Sequence, residues 1–126
     1  MRPGSAIDRR ARGGAAERLA AEHLVARGLE ILLRNYRRRT GELDIVAREG
    51  EVLVIVEVRM RATAAFGGAA ASVDGLKRAR IVRTAAQLLQ RRRDLAQMRV
   101  RFDVIVVGDL AERPIPLEWI RHAFDA

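Results

Sequence analysis

Apolar residues recur along two stretches of the chain with the period of an α-helix. Between residues 14 and 27 they fall on one broad face, made of Ala16, Leu19, Ala20, Leu24 and Ala26. This spacing predicts a first helix, and Gly28 follows it as a C-terminal stop. A second helix is predicted over residues 73–92, where the apolar arc consists of Ile81, Val82, Ala85, Leu88 and Leu89.

Four other segments have the composition of β-strands. They span residues 29–33, 42–48, 51–60 and 100–107. The second and third flank Glu49-Gly50, which is a hairpin signal. The third is apolar almost throughout, and such a run is typical of a central strand that is covered on both faces.

The segments between the predicted helices and strands are consistent with a single domain. Residues 1–13 are rich in Arg and Gly and are expected to be flexible. A basic connection is predicted at 37–41, a flexible loop at 62–71 and a short final element at 117–124. The order helix, three strands, helix, strand predicts an α/β domain over residues 14–126, with a mixed central sheet flanked by helices.

The net charge of the chain suggests what kind of partner it binds. The formal net charge is +8, and 24 residues are Lys or Arg. A small domain this basic suggests a polyanion, most often nucleic acid. The alternative explanation is genomic bias, because the chain is rich in alanine and arginine. The chain has no cysteine and no apolar run or leader pattern of membrane or secretory type, so we expect a cytoplasmic protein without a membrane partner.

Candidate chemistry lies inside the apolar strands. Four ionisable residues interrupt them, namely Glu42, Asp44, Glu57 and Arg59. A buried charge is costly unless it is paired or bound to a metal. Glu57 and Arg59 are two residues apart, so they project from the same face of a strand.

The hairpin brings two of these acids together. With a two-residue turn at Glu49-Gly50, Asp44 faces Ile55, and Asp44 and Glu57 become diagonal neighbours about 7 Å apart. Two carboxylates at that distance can share Mg²⁺ or Mn²⁺. Such an ion activates water and stabilises charge on a phosphodiester. The alternative is a structural ion pair, in which Arg59 neutralises one of the carboxylates.

Residues 41–61, GELDIVAREGEVLVIVEVRMR, resemble the signature of the YraN-like family of small bacterial proteins. The resemblance covers nearly the whole chain, and its further matches are Gly14, Glu17, Ala20, Leu24, Gly28, Asn35, Phe66-Gly67, Lys77, Phe102-Asp103-Val104 and Ala123-Phe124. It implies a restriction-endonuclease-like, PD-(D/E)xK fold similar to that of archaeal Holliday junction resolvases. It also implies Mg²⁺ held by Asp44 and Glu57, with Glu17 of the first helix as a third carboxylate. From the residues alone, Glu17 could equally be an exposed helix acid.

One position departs from the family pattern. Arg59 stands where the pattern has Lys, and an arginine cannot deprotonate to act as a base. It could still hold a water or stabilise developing charge, so the catalytic set implied by the resemblance is Asp44, Glu57, Arg59 and Glu17. Three roles stay open for Lys77: a substitute catalytic amine, a phosphate contact, or a surface lysine whose stem packs on the core.

Three functions follow as expectations. The first is a divalent-metal-dependent endonuclease acting on DNA rather than RNA, including branched or junction DNA. The second is a nuclease-fold module that binds nucleic acid but has lost cleavage because of Arg59, and the third is a basic interaction protein whose acids are structural. The residues expected to bind nucleic acid are Lys77, Arg61, Arg37, Arg38 and Arg80. Analogy with the resolvases adds a homodimer, for which the chain shows no pattern of its own.

Other polar residues are given structural roles. His23 falls inside the apolar arc of the first helix and is interpreted as a packed core residue. Asp103 lies in the strand over 100–107 and is interpreted as a strand-end acid that pairs with a nearby arginine. His122 is assigned no role.

Overall fold

The computed structural model describes residues 6–61 and 73–126, so the predicted loop at 62–71 lies outside the described residues. In chain order the elements are α1 (Ala6–Ala26), β1 (Glu30–Arg38), β2 (Gly41–Glu49), β3 (Val52–Met60), α2 (Gly75–Arg91), β4 (Arg99–Val107) and β5 (Leu117–Phe124). Both predicted helices and all four predicted strands are present. The short final element is a fifth strand.

Two boundaries differ clearly from the prediction. Helix α1 begins at Ala6, because the Arg- and Ala-rich segment before residue 14 consists largely of good helix formers. Strand β1 continues to Arg38, so much of the predicted basic connection is strand. Its pairing with β2 shifts between Ile31 and Leu33, and such an irregularity breaks the two-residue alternation by which a strand is predicted.

The five strands lie in the sheet in the order in which they occur in the chain. The pairs β1–β2, β2–β3 and β4–β5 are antiparallel. Strands β3 and β4 are parallel, and α2 lies on the crossover between them. The prediction of an α/β fold with a mixed sheet is therefore confirmed.

A helix covers each face of the sheet. On one face Ile81 and Leu88 of α2 pack with Leu53 and Ile55 of β3 in a single core cluster. On the other face Ala20 and Leu24 of α1 pack with Val54 and Val56 of the same strand. Strand β3 is thus buried on both sides, as its sequence predicts. Neither described helix combines the length and apolar character needed to cross a membrane.

The β2–β3 turn lies one residue later than predicted. Glu49 pairs with Val52, so the two turn residues are Gly50 and Glu51. Gly50 has φ 59°, and the first central position of a tight hairpin turn favours glycine for this reason. The correction moves the register by two positions, and a shift of two keeps every side chain on its predicted face.

The β1–β2 turn packs against α2. Gly41 has φ 152°, and a Cβ at this position would lie 3.2 Å from Oγ1 of Thr84 and 3.3 Å from Cβ of Arg80. The hydroxyl groups of Thr40 and Thr84 are 2.8 Å apart in a hydrogen bond. This close approach requires glycine, and it brings the start of β2 next to the first turns of α2.

Candidate functional site

A cleft of about 350 Å³ lies between the sheet and the first turns of α2. Its lining consists of Gly41, Glu42, Asp44, Glu57, Asp74, Leu76, Lys77, Arg80 and Ile81. The β2–β3 pairing ends nearby, at Ile45 and Val56. The next residues along the two strands are Asp44 and Glu57, so the hairpin register places these acids opposite each other at the cleft.

Asp44 and Glu57 are both buried, with 8% and 6% of their surface exposed. The two carboxyl groups lie close enough for Glu57 to raise the pKa of Asp44, and Oδ2 of Asp44 accepts a hydrogen bond of 2.9 Å from the backbone N–H of Val58. The prediction that these side chains converge is confirmed. They stand directly opposite, however, rather than diagonally as the predicted turn required.

The environment of Asp44 favours its protonated form. Burial, followed by the hydrogen bond and the negative charge of Glu57, raises the pKa of Asp44 from 3.8 to about 9, against the opposing effect of the Val58 N–H. A buried carboxylate beside another carboxyl group is stabilised by a proton between them. A divalent cation between the same oxygens would remove the same repulsion.

The raised pKa of Asp44 predicts how the metal-free protein responds to pH. The folded state binds a proton here that the unfolded state releases near pH 3.8, so the contribution to stability is complete below that pH and is lost as pH rises toward about 9. Urea denaturation in EDTA should show a free energy of unfolding that falls across this range. Asp44→Asn should flatten the fall, whereas Glu112→Gln, at an exposed acid, should not. An unchanged slope in Asp44→Asn would contradict the prediction.

Lys77 is the cation that pairs with Glu57. Its Nζ lies 3.2 Å from Oε1 of Glu57, and 44% of the lysine side chain is exposed. Asp74 caps α2 and fixes the backbone of this turn, because its Oδ1 accepts a 2.8 Å hydrogen bond from the N–H of Lys77. The alternative in which Arg59 neutralises Glu57 or Asp44 is wrong for the described residues. Arg59 is half-buried and does not line this cleft.

Glu17 approaches the same acids from α1. It forms an ion pair of 3.9 Å with Arg34, and burial, followed by the negative charge of Glu42, raises its pKa. The charge of Glu57 acts on it in the same direction. Within residues 6–61 and 73–126, no three His, Cys, Asp or Glu side chains form a set that could hold a metal ion. Asp44 and Glu57 therefore meet as a pair, and Glu17 lies outside a three-carboxylate arrangement.

This pair fits a divalent cation of the Mg²⁺ type. Magnesium is commonly bound through one or two carboxylates, keeps several waters and takes further oxygens from substrate phosphates. Asp44 and Glu57 provide two carboxylates, and the cleft beside them leaves room for water and phosphate. The opposing wall adds positive charge, since Lys77 and Arg80 both line the cleft.

The other residues expected to bind nucleic acid lie at different distances from the cleft. Arg37 forms an ion pair with Glu42, a lining residue, and therefore lies at its rim. Arg38 stacks with its guanidinium carbon 4.3 Å from the centre of the Tyr36 ring. Arg61 is apart from this group, because its ion pair, at 4.0 Å, is with Glu118 of β5.

Five lining residues were not among the sequence-predicted site residues, namely Gly41, Glu42, Asp74, Leu76 and Ile81. Asp74 caps the helix that carries Lys77, and an aspartate just before an apolar-periodic segment is a recognised helix-start signal that could have placed it. Leu76 is 65% exposed at the cleft. It lies nine residues before Ala85, so the helical period places it opposite the apolar arc and could have marked it as a surface residue.

Asp103 has a structural role on the α1 side of the sheet. It is fully buried, and its two carboxylate oxygens accept hydrogen bonds of 2.9 and 3.0 Å from Arg101. The indole N–H of Trp119 and the backbone N–H of His122 each donate one more, at 2.9 Å. The interpretation of Asp103 as an acid paired with a nearby arginine is confirmed. His23 packs edge-on against the Trp119 ring, with centroids 6.0 Å apart.

Fold and site together define a small α/β protein with a buried acidic pair in a cleft that has a basic wall. The chain belongs to the family described as "Uncharacterised protein family UPF0102", which matches residues 16–107. A UPF0102 protein of Alkalilimnicola ehrlichii is 47% identical over 114 residues, or 90% of this chain and 86% of the relative. The UPF0102 proteins of Methylobacillus flagellatus and Pseudomonas putida strain F1 are 45% and 42% identical over 90% of this chain, covering 96% and 92% of their own lengths.

Proposed function

We propose that this protein is a divalent-metal-dependent endonuclease of the restriction-endonuclease-like class that hydrolyses phosphodiester bonds in DNA. The observation that carries the proposal is the pair of buried carboxyl groups, Asp44 and Glu57, at a cleft whose other wall carries Lys77 and Arg80. Metal ligands and phosphate-binding cations are the two components that such a reaction requires.

The acidic side of the cleft would hold the metal. Asp44 and Glu57 would bind Mg²⁺ or Mn²⁺ through carboxylate oxygens, and Glu17 would add negative charge from α1. The bound ion would supply an activated water and stabilise the charge that develops on the phosphodiester. The hydrogen bond from Val58 holds Asp44 in place, so one of the two ligands is positioned before the metal arrives.

The basic side of the cleft would hold the substrate. The chain carries 24 basic residues and a net charge of +8, and phosphate contacts by such residues give nucleic-acid affinity that falls steeply with salt. Lys77 and Arg80 would contact the backbone next to the carboxylates, with Arg37 at the rim. Arg59 would contribute a fixed positive charge from β3.

A second function is favoured by one specific observation. Arg59 stands where the YraN-like pattern that the sequence resembles has Lys, and Arg59 does not line the cleft. If cleavage needs an amine at that position, the protein is a nucleic-acid-binding module that retains the metal site without the activity. Arg59→Lys separates this function from the first.

The test is a cleavage assay on labelled duplex, single-stranded, flap and four-way-junction DNA, in Mn²⁺ or Mg²⁺ and in EDTA. It compares the wild type with Asp44→Asn and Arg59→Lys. The endonuclease proposal expects wild-type cleavage that requires the metal and disappears in Asp44→Asn. Cleavage by Arg59→Lys alone would support the binding module. If neither the wild type nor Arg59→Lys cleaves any substrate, the endonuclease proposal is wrong.

A further inference from the structure

The pairing of Lys77 with Glu57 has a consequence for metal binding. We propose that the Lys77 ammonium holds the place of the metal at Glu57 in the metal-free protein, so that Lys77 and the divalent cation compete for this carboxylate. The inference rests on the proposed function, because it assigns a regulatory role at the same metal centre.

Glu57 needs a positive charge whether or not a metal is bound. Only 6% of its surface is exposed, and a buried carboxylate without a partner is costly. Lys77 meets this need at 3.2 Å. A divalent cation bound to the same carboxylate would lie within a few ångströms of the ammonium, and two positive charges that close repel each other. Metal binding therefore has to displace Lys77 from Glu57.

The position of Lys77 allows this displacement. Asp74 anchors the backbone of Lys77 but not its side chain, and 44% of that side chain is exposed. An ammonium on a flexible four-carbon stem is a compact charge that can change partners. Of the 24 Lys and Arg residues all except Lys77 are arginines, whose planar guanidinium groups are a poorer substitute for a small cation. The displaced ammonium would stay in the cleft beside Arg80.

Removal of the lysine charge should therefore strengthen metal binding. Mn²⁺ affinity is measured by isothermal titration calorimetry on the full chain, without nucleic acid. We expect Lys77→Met to bind Mn²⁺ about five- to tenfold more tightly than the wild type. Lys77→Arg keeps the charge and should stay much closer to the wild type. Arg83→Met removes one charge from an exposed position farther along α2, and it controls for the general loss of positive charge.

A second readout checks the metal-free state. In EDTA the melting temperature of Lys77→Met should be lower than that of Arg83→Met, because Lys77 pairs with the buried Glu57 carboxylate whereas Arg83 lies at an exposed position. Lys77→Gln provides a second neutral variant if the methionine variant fails to fold. Equal Mn²⁺ affinity in the wild type, Lys77→Met and Arg83→Met would overturn the competition and leave the endonuclease proposal intact. No Mn²⁺ binding by any of these proteins would overturn both.

Discussion

Replacement of Glu57 by glutamine is expected to reduce metal-dependent cleavage by about 10³-fold without unfolding the protein. Glutamine keeps the shape of the side chain but removes one of the two charged ligands that would hold the metal. Because Glu57 also raises the pKa of Asp44 by hydrogen bond and charge, its loss relieves repulsion inside the metal-free cleft. Above neutral pH in EDTA, Glu57→Gln should be at least as stable as the wild type.

Two measurements check this combination. Cleavage rates are compared in Mn²⁺ at saturating substrate, and free energies of unfolding are compared by urea denaturation in EDTA. Glu51→Gln, at an exposed turn position of the same hairpin, should match the wild type in both. If Glu57→Gln cleaves as fast as the wild type, Glu57 is not a metal ligand. If the variant is strongly destabilised, the acid is structural.

Asp103→Ala should produce the largest loss of stability, about 3–5 kcal/mol, because it removes a fully buried charged acceptor of hydrogen bonds. Arg101 would keep its ion pair with Glu49, but the other donors to Asp103 would lose their acceptor. The carboxylate accepts hydrogen bonds from Arg101, Trp119 and the His122 backbone, so α1-side packing and the β4–β5 pairing both depend on it. Asp103 pairs in register with Val56, and its side chain lies on the face of the sheet away from the cleft.

Urea denaturation of the purified variant tests this expectation. The matched control is Asp94→Ala, because Asp94 also forms a two-bond pair with an arginine, Arg92, but at an exposed position. Solvent already screens that pair, so its loss should change stability little. Equal effects of the two substitutions would show that burial adds nothing to the Asp103 network. At temperatures where Asp103→Ala remains folded, its cleavage rate should equal that of the wild type.

The sequence could predict which face of the sheet carries the two acids, because strand side chains alternate between faces and a register error of two positions leaves every face unchanged. The predicted turn at Glu49-Gly50 is off by one residue, and this error moves the register by two positions. Asp44 and Glu57 therefore stay on one face, although their separation changes from diagonal to opposite. The continuous apolar run of β3 likewise predicts burial on both faces without knowledge of any contact.

The partner of Glu57 could not be predicted in this way. Lys77 and Glu57 are far apart in the chain, and their contact depends on how α2 packs on the sheet, which local patterns do not encode. Arg59 is closer in sequence and on the same strand face, so it was the natural candidate for the ion pair. The sequence did not identify β5 as a strand for a different reason. His122 has a left-handed backbone conformation, with φ 51°, which interrupts the alternation of side chains between the two faces of the strand.

The order of strands in the sheet also bears on how the chain folds. Strands β1, β2 and β3 are joined by tight turns and pair with their neighbours in sequence, so they can associate early with little loop-closure entropy. The parallel pairing of β3 with β4 has to wait for the crossover through α2, and pairings of such high contact order form slowly. Asp44 and Glu57 lie in the β2–β3 hairpin, which forms early, whereas Lys77 lies in α2, which packs on the sheet later. We therefore expect the acidic pair to form before its counter-charge, and the cleft to become complete only in the last step of folding.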